Sequence, residues 1–466
     1  MKKIFILSGL FIALTLTSCE NWFDISAKSE LKADDLFDNE QGFRDALIGC
    51  YGSMAEADLY GAQMTMTYMD VLGQYYSSAS TAQHNFQYAY TFDYTNATEE
   101  ARKDKLWRNL YNVVANVNNL LDHIDAKKDI FSTGVYELIK GEALGLRAYL
   151  HLDILRLFGA SPSMENGLDR KAIPYVDKYT NQLFEQLTVR QVLERIAGDL
   201  NSARGLLAGV DPYGPSHADY DLDDLSGVWK GREYRMNYYA ATALLARTLL
   251  YRGEAADKTL ANTYALEVIN SGLFPLITGN DLNSSDKNGF VQENVFALED
   301  KGVKDDIVDK YFNVENTNYN FLAITNANLN RVFPTSLDMD YRRRWWIDPS
   351  GSYNLITKYT YSKRIPLLKV SEMYLIAAET AATLGDAAGY FNELQYHRGL
   401  PDADITAANL STKVLDEYAK EFVAEGQLFY AYKRLNNKVK PITKAALNDA
   451  EAIYILPLPA DNTYFK

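Results

Sequence analysis

Apolar side chains recur three and four positions apart along most of this chain, the spacing that predicts amphipathic helices. The pattern is clearest over 106–124, where one face is apolar and the opposite face carries Asn112, Asn116 and Asn119. Further helices are predicted over 135–158, 189–207, 233–252, 260–271, 368–384, 387–397 and 412–437.

Two helix ends have recognisable capping residues. Thr188 and Gln191 match a capping box, in which each side chain satisfies the other's free backbone N–H group. Gly159 follows the apolar pattern of 135–158 and is expected to end that helix in a left-handed conformation.

Two of the predicted helices resemble each other in how they end. Residues 244–247 lead to a turn at Gly253 and Glu254, and residues 376–379 lead to a turn at Gly385 and Asp386. An Ala-rich second helix follows each turn, as in tetratricopeptide hairpins. Stacked hairpins bury apolar surface that a single pair of helices would leave exposed. The predicted fold is therefore all-α dominated, with tetratricopeptide-like helical hairpins and irregular loop and short-strand insertions between them.

The two main insertions are rich in aromatic residues and lack helical periodicity. Segment 68–94 carries eight aromatic residues in 27 positions, and segment 311–361 carries eleven in 51. Both are predicted to be loops and short strands, because alternation of large residues is typical of a half-buried strand. The alternating residues of the first segment are Phe86, Tyr88, Tyr90, Phe92 and Tyr94.

Composition and charge exclude several classes of protein. The chain is 47% hydrophobic, which is enough for a large core. Its net charge of −14 argues against a nucleic-acid binder, which needs a basic face. With only Cys19 and Cys50, a disulfide framework and a cysteine-rich zinc site are also excluded.

The beginning of the chain has the pattern of a lipoprotein signal peptide over 1–18. Two lysines precede an apolar run of 13 residues that ends in Leu16, Thr17, Ser18 and Cys19. Lipid attachment at Cys19 is expected, and an ordinary secretory signal with an incidental cysteine is the alternative. Cys50 is then left without a partner and is predicted to be a small buried apolar residue.

Several segments, in order and spacing, resemble the SusD/RagB family of outer-membrane lipoproteins of Bacteroidota. The similarity runs over nearly the whole mature chain, 19–466, as one domain with insertions near 60–100 and 273–365. The segments that carry it are 37–54, 141–159 with Ile173 and Pro174, 364–379, 391–399, 421–435 and 455–459.

This resemblance implies a fold and a function. It implies a helical repeat scaffold whose insertions bind a glycan or a peptide, without enzymatic activity. It also implies a role as the lid of a SusC/RagA-like TonB-dependent transporter, with membrane attachment by the lipid alone. For that transporter interface, Trp22, Phe23 and Leu36 are candidates, and packing in the core is the alternative.

The insertions contain the side chains that recognise sugars, namely aromatic rings for stacking and amides or carboxylates for hydroxyl groups. The alternative for each aromatic residue is that it packs the insertion onto the helices. At most one of the adjacent Trp345 and Trp346 is expected to face a ligand, because 340–343 resembles a structural segment of the family. The ligand-binding candidates are Asp70, Tyr75, Tyr76, Gln83, Tyr88, Asp93, Tyr94, Asn96, Trp345, Trp346 and Tyr353.

Cofactor and catalytic patterns are weak. Asp219, Asp221 and Asp223 resemble half of a calcium loop, but Asp224 and Lys230 stand where glycine and a bidentate glutamate are required. A solvated acidic loop is favoured over an irregular calcium site, and no cofactor is expected. Six helical glutamates, which we expect to form ion pairs with Arg147, Arg364 or Arg434 or to be solvated, are Glu142, Glu372, Glu379, Glu417, Glu421 and Glu425.

The leading hypothesis is a cell-surface lipoprotein that binds oligosaccharides and delivers them to the transporter. A peptide-binding subunit of the same family and a lid without its own ligand site are the alternatives. A glycoside hydrolase is a third alternative, but no catalytic motif in the sequence supports it.

Overall fold

The computed structural model describes residues 35–216, 221–283, 289–300, 302–313, 315, 320–360 and 362–460. The signal peptide, Cys19, Trp22 and Phe23 lie outside these residues, as do Asp219, Tyr319 and Tyr361. None of the described helices has a stretch that is long and apolar enough to cross a membrane.

Helices dominate the described chain. They are α1 (Glu40–Ala55), α2 (Tyr68–Leu72), α3 (Gln87–Thr91), α4 (Ala97–Ile124), α5 (Val135–Phe158), α6 (Val189–Leu207), α7 (Tyr238–Arg252), α8 (Ala255–Ile269), α9 (Asp309–Tyr311), α10 (Asn326–Val332), α11 (Tyr341–Trp346), α12 (Val370–Thr380), α13 (Leu384–Tyr396), α14 (Leu410–Glu421), α15 (Leu428–Arg434) and α16 (Ala450–Tyr454). The strands are β1 (Lys171–Pro174), β2 (Gln186–Thr188), β3 (Asn294–Glu299), β4 (Ile324–Thr325), β5 (Ile347–Ser350), β6 (Tyr353–Ile356) and β7 (Arg364–Lys369).

The long helices form one continuous series. α1 packs on α4, and α4, α5, α6, α7, α8, α12 and α13 each pack against the next in that order. The predicted hairpins are thus α7 with α8 and α12 with α13, stacked on each other across a 100-residue insertion as helical repeats are. This confirms the predicted fold class.

Small residues allow the helices to approach closely. A Cβ atom on Gly141 would lie 2.7 Å from the Leu207 side chain, so the α5–α6 crossing requires glycine at this position. Gly253 ends α7 with a φ of 72°, in the left-handed region that glycine adopts without strain.

Three predictions about helix ends are wrong. The turn expected at Gly385 and Asp386 lies earlier, between Thr380 and Leu384, and both residues belong to α13. Gly159 has a φ of −91° and does not cap α5 in a left-handed conformation. The helix predicted over 412–437 is broken between α14 and α15, where Ala424 and Gly426 have φ values of 62° and 72°. The capping box of Thr188 and Gln191 is present as predicted.

Strands are short and lie in the insertions. β1 pairs with β2, β3 with β7, and β4, β6 and β5 form a three-stranded antiparallel sheet in that order. In this sheet Tyr353 lies opposite Thr325, which brings the turn after β5 next to the end of β4.

The first insertion is helical where a strand was predicted. Residues 87–91 form α3, and Phe92 ends it with a left-handed φ of 60°. Phe86 and Ala89, three positions apart, are the buried members of this turn. Aromatic residues at every second position also fall four positions apart, so their alternation does not distinguish a strand from a short helix.

Candidate functional site

Five of the predicted ligand-binding residues are buried in the core. Tyr75 donates its hydroxyl hydrogen to Ala419 O at 2.6 Å, and Tyr76 donates to Met66 O at 3.0 Å. These hydroxyls hydrogen-bond to backbone carbonyls inside the protein, which is a structural role. The five residues are Asp70, Tyr75, Tyr76, Tyr94 and Trp346.

The other three buried candidates also have partners inside the protein. Asp70 accepts hydrogen bonds from the backbone of the α14–α15 break, and Tyr94 donates to Ile453 O at 2.9 Å. The ammonium group of Lys358 lies 3.8 Å from the ring centroid of Trp346. We therefore correct the prediction for all five, because they expose too little surface for a sugar to stack on.

Two polar candidates have local structural roles. Asn96 caps α4 by accepting from Thr98 N at 3.0 Å. Asp93 accepts from the backbone and hydroxyl of Thr95 at 3.3 and 2.8 Å. Both retain part of their surface, but these hydrogen bonds explain their positions.

Gln83, Tyr88, Trp345 and Tyr353 keep exposed surface. Trp345 and Trp346 close the short helix α11 instead of lying on a strand, and Trp346 alone of the two is fully buried. Trp346 is thus unavailable to a ligand, and whether Trp345 faces one stays a prediction.

The two aromatic insertions meet along one line, which we call the seam and define as residues 77–88, 320–325 and Tyr353. Ser78 Oγ donates to Phe321 O at 3.0 Å and accepts from Ala323 N at 2.9 Å. Thr325 N donates to Ser77 Oγ at 3.1 Å. These contacts join positions about 245 residues apart, so the two segments form one surface.

Amide groups and half-exposed rings share this surface. Asn85 N donates to the side-chain oxygen of Asn320 at 3.3 Å, and the rings of Phe321 and Tyr353 meet edge to face at 5.3 Å. His84 lies beneath, with Nε2 3.3 Å from Phe321 O. Burial lowers the pKa of His84, which favours the neutral ring.

A cleft of about 790 Å³ lies next to the seam, with Tyr311 among its lining residues. The guanidinium of Arg102 lies 4.4 Å from the ring centroid of Phe86 and donates to Asn85 O at 2.9 Å. It also donates to Gln63 in the cleft wall at 3.3 Å. The Phe86 ring contacts Tyr311, which also lines the cleft, at 6.1 Å between centroids, so cleft and seam share one wall.

The six helical glutamates form ion pairs. Arg434 pairs with Glu379 as predicted, whereas Arg147 binds Asp199 and Arg364 lies nearest Glu233. The other pairs are Glu142 with Arg232, Glu372 with Arg247, Glu417 with Arg342, Glu421 with Arg398, and Glu425 with Lys358.

These pairs fix the protonation state of at least one carboxylate. Burial alone would disfavour the charge of Glu417, but Arg342 and Lys420 outweigh it and lower its pKa to about 2. A carboxylate held ionised in this way cannot serve as a general acid near neutral pH.

The acidic loop has few described features. Asp219 lies outside the described residues, and Asp221 is exposed and accepts from Asp223 N at 3.1 Å. Among the described residues, no group of three or more histidine, cysteine, aspartate or glutamate side chains is arranged to hold a metal ion. The irregular calcium site stays a prediction.

Cys50 is buried, as predicted, with 1% of its surface exposed. Burial raises the pKa of its thiol to about 12, so the reactive thiolate is scarce near neutral pH.

Of the three residues considered for the transporter interface, only Leu36 lies in the described part of the chain, and 38% of its surface is exposed.

This fold is a helical-repeat scaffold with long aromatic insertions, and two family models match the chain over most of its length. A model described as starch-binding and associating with the outer membrane matches residues 21–213. The model of the SusD family matches residues 286–465. The chain belongs to the SusD/RagB family.

Individual relatives are distant. The SusD-like protein P25 of Formosa agariphila is 22% identical over 217 residues, which are 46% of this chain and 39% of that protein. The chain therefore matches about two fifths of the length of this curated relative.

Solved structures share the fold. A SusD superfamily protein from Bacteroides thetaiotaomicron is 21% identical, with a TM-score of 0.69 over 90% of this chain and 96% of that one. A SusD-like carbohydrate binding protein from Bacteroides vulgatus is 19% identical, with a TM-score of 0.65 over 85% and 83%.

Proposed function

We propose that this protein is a glycan-binding lipoprotein of the outer-membrane surface, which delivers oligosaccharides to a SusC-like TonB-dependent transporter. The observation that carries the proposal is the seam, where half-exposed rings and amide groups from two distant insertions form one surface. Rings stack on the apolar faces of sugars, and amides bind their hydroxyl groups.

Family membership supports this assignment. The matching models describe starch binding and association with the outer membrane, and one solved neighbour is named as a carbohydrate binding protein. The role is binding without catalysis, in keeping with the ion-paired glutamates.

Attachment is proposed to occur through lipid on Cys19, with the body of the protein outside the bilayer. Radiolabelled palmitate should be incorporated into the full-length protein, and Cys19→Ala should abolish the label and release the protein from the membrane fraction. A labelled Cys19→Ala protein would exclude this anchor.

Calorimetric titration of the mature protein carrying Cys19→Ser, against oligosaccharides of starch, plant and host origin, tests the binding function. We expect saturable binding without product release, weakened about ten-fold or more by Phe321→Ala with Tyr353→Ala, since each lost stacking ring costs roughly 1 kcal/mol. Tyr396→Ala is the matched control, because Tyr396 is 71% exposed and lies outside the seam.

The same titrations separate the alternatives. Binding of mixed peptides but of no glycan would assign the protein to peptide uptake. Absence of binding in every titration, with normal co-purification of the transporter, would leave a lid without its own ligand. Release of shorter sugars would contradict a purely binding role.

A further inference from the structure

Three adjoining depressions form a polar trench beside the seam, and nothing above assigns it a ligand. The cleft of about 790 Å³ shares Glu56 and Asp58 with a groove of about 220 Å³. It shares Asp58 and Gln63 with a second groove of about 250 Å³. The cleft alone has the size of an ordinary small-ligand site, roughly 300–1,000 Å³.

Amide groups line one end of this trench. Asn109, Asn112 and Asn116 follow one another along a single face of α4, at intervals of three and four residues, and all three line the smaller groove. An amide offers both a donor and an acceptor, as does a sugar hydroxyl, so a row of amides suits a chain of sugar units. The polar face that Asn112 and Asn116 give to α4 is therefore suited to hydrogen bonding with a ligand as well as with water.

Carboxylates are the majority of the charged groups in the cleft, and the second groove adds Arg102 and Lys105 to the lining. The described acidic residues of the cleft are Glu56, Asp58, Glu299, Asp300 and Asp305, against Lys310. The C-terminal end of α1, which has no basic residue in its last turn, adds the negative end of a helix dipole.

Asp58 lies where the three depressions meet. Its carboxylate binds the ammonium group of Lys105 at 2.7 Å, and both side chains are about half exposed. An ammonium group on a ligand can take the place of Lys105 here, because an exposed pair of this kind is held by only about 1 kcal/mol or less.

We propose that this trench is a second glycan subsite, which accepts uncharged and amino-bearing sugar units and excludes uronic acids and sulfated sugars. The proposal rests on the proposed glycan-binding function and adds the charge class of the ligand. Like charges within a Debye length of about 8 Å repel an anionic sugar, whereas an ammonium group is attracted. The amide row distinguishes a sugar chain from a merely cationic ligand.

Titrations with three β-1,4-linked tetrasaccharides at low ionic strength test the proposal. The probes are tetramers of glucosamine, glucose and glucuronic acid. We expect the glucosamine tetramer to bind most tightly and the glucuronic acid tetramer not to bind, and the preference should largely disappear in 0.5 M salt because screening removes it.

Variants assign the preference to the trench. Glu56→Gln with Asp58→Asn should lower the affinity for the glucosamine tetramer about five-fold. Lys105→Met should raise that affinity about two-fold, and both effects are the size expected for partly screened charges. Asp402→Asn is the matched control, since Asp402 is exposed and lines none of the three depressions. Asn112→Ala with Asn116→Ala should weaken the glucosamine tetramer and leave tetralysine unchanged.

Each result decides the matter. Equal affinity for the three tetramers, with seam-dependent glycan binding intact, would overturn the charge selectivity and leave the proposed function standing. Tetralysine bound as tightly as the glucosamine tetramer, with no effect of the asparagine variants, would show an unspecific acidic surface and overturn the glycan subsite. Failure of every glycan to bind would overturn both proposals.

Discussion

At the scale of single residues, the buried carboxylate of Asp70 joins parts of the chain 354 positions apart. It accepts hydrogen bonds from Ala424 N at 2.5 Å and from Gly426 N at 2.9 Å, in the left-handed turn between α14 and α15. We expect Asp70→Ala to lower the free energy of unfolding by about 3 kcal/mol, because two buried N–H groups lose their acceptor.

Urea unfolding followed by circular dichroism measures this effect. Asp93→Ala is the control, since Asp93 serves an exposed turn and its loss should cost no more than about 0.5 kcal/mol. Equal stability of the two variants would contradict the structural role that we assign to Asp70.

His151 should make the stability depend on pH. Its ring is fully buried between Arg147 O, at 2.8 Å from Nδ1, and Val176 N, which donates to Nε2 at 3.0 Å. Burial lowers the pKa of His151 from 6.5 to about 3. The unfolded chain therefore binds a proton that the folded chain does not, and stability falls as the pH decreases from 6.5 towards 3.

The slope of the unfolding free energy against pH shows how much of this dependence comes from His151. Between pH 6 and 4.5, His151→Gln should reduce the decrease in unfolding free energy by up to about 1.4 kcal/mol per pH unit, the value for one proton. Denaturant titrations of both proteins across this range measure it. An unchanged slope would show that His151 does not remain neutral in the folded protein.

At the scale of elements, a buried charge network connects α11, β7 and α14. Glu421 on α14 binds Arg342 at 2.9 Å, Arg398 at 2.8 Å and Lys369 at 3.0 Å, and all four side chains are buried. Removing the carboxylate leaves three cations without full compensation, which is far costlier than losing an exposed pair.

Glu421→Ala should therefore destabilise the protein by roughly 3–5 kcal/mol or prevent folding. Lys127→Ala is the matched control, because it breaks the exposed pair with Asp38 and should change stability by about 0.5 kcal/mol or less. Thermal unfolding and soluble yield measure both. Similar melting temperatures would contradict the role of the network in joining these elements.

Local signals predicted the repeat scaffold well. The apolar spacing that defines α5, α6 and α7 lies within each element, so it is visible in the sequence. The break between α14 and α15 was missed because its cause, the carboxylate of Asp70, comes from the far end of the chain.

The site was only partly predictable for the same reason. Composition identified both insertions, but the partners that bury Tyr75 and Tyr76 are backbone carbonyls, one of them 344 positions away. Phe321 and Asn320 were missed because only the hydrogen bonds of Ser78 and Asn85 bring them to the seam. The aromatic density of 311–361 was the one available signal for them.

At the scale of the whole molecule, the stacked helices hold two distant insertions against each other at the seam, and the trench adjoins the seam near Phe86 and Tyr311. This arrangement makes the proposed ligand site depend on both insertions. A single insertion removed from the scaffold would lose the partner segment that completes the seam.

Amide hydrogen exchange of the mature protein, with and without the best-bound oligosaccharide, tests the central claim most directly. The account predicts slower exchange in 77–88 and 320–325 when the glycan is present, and no such change in Phe321→Ala with Tyr353→Ala. Protection confined to other parts of the chain, or equal in the wild-type protein and the variant, would contradict a glycan site at the seam.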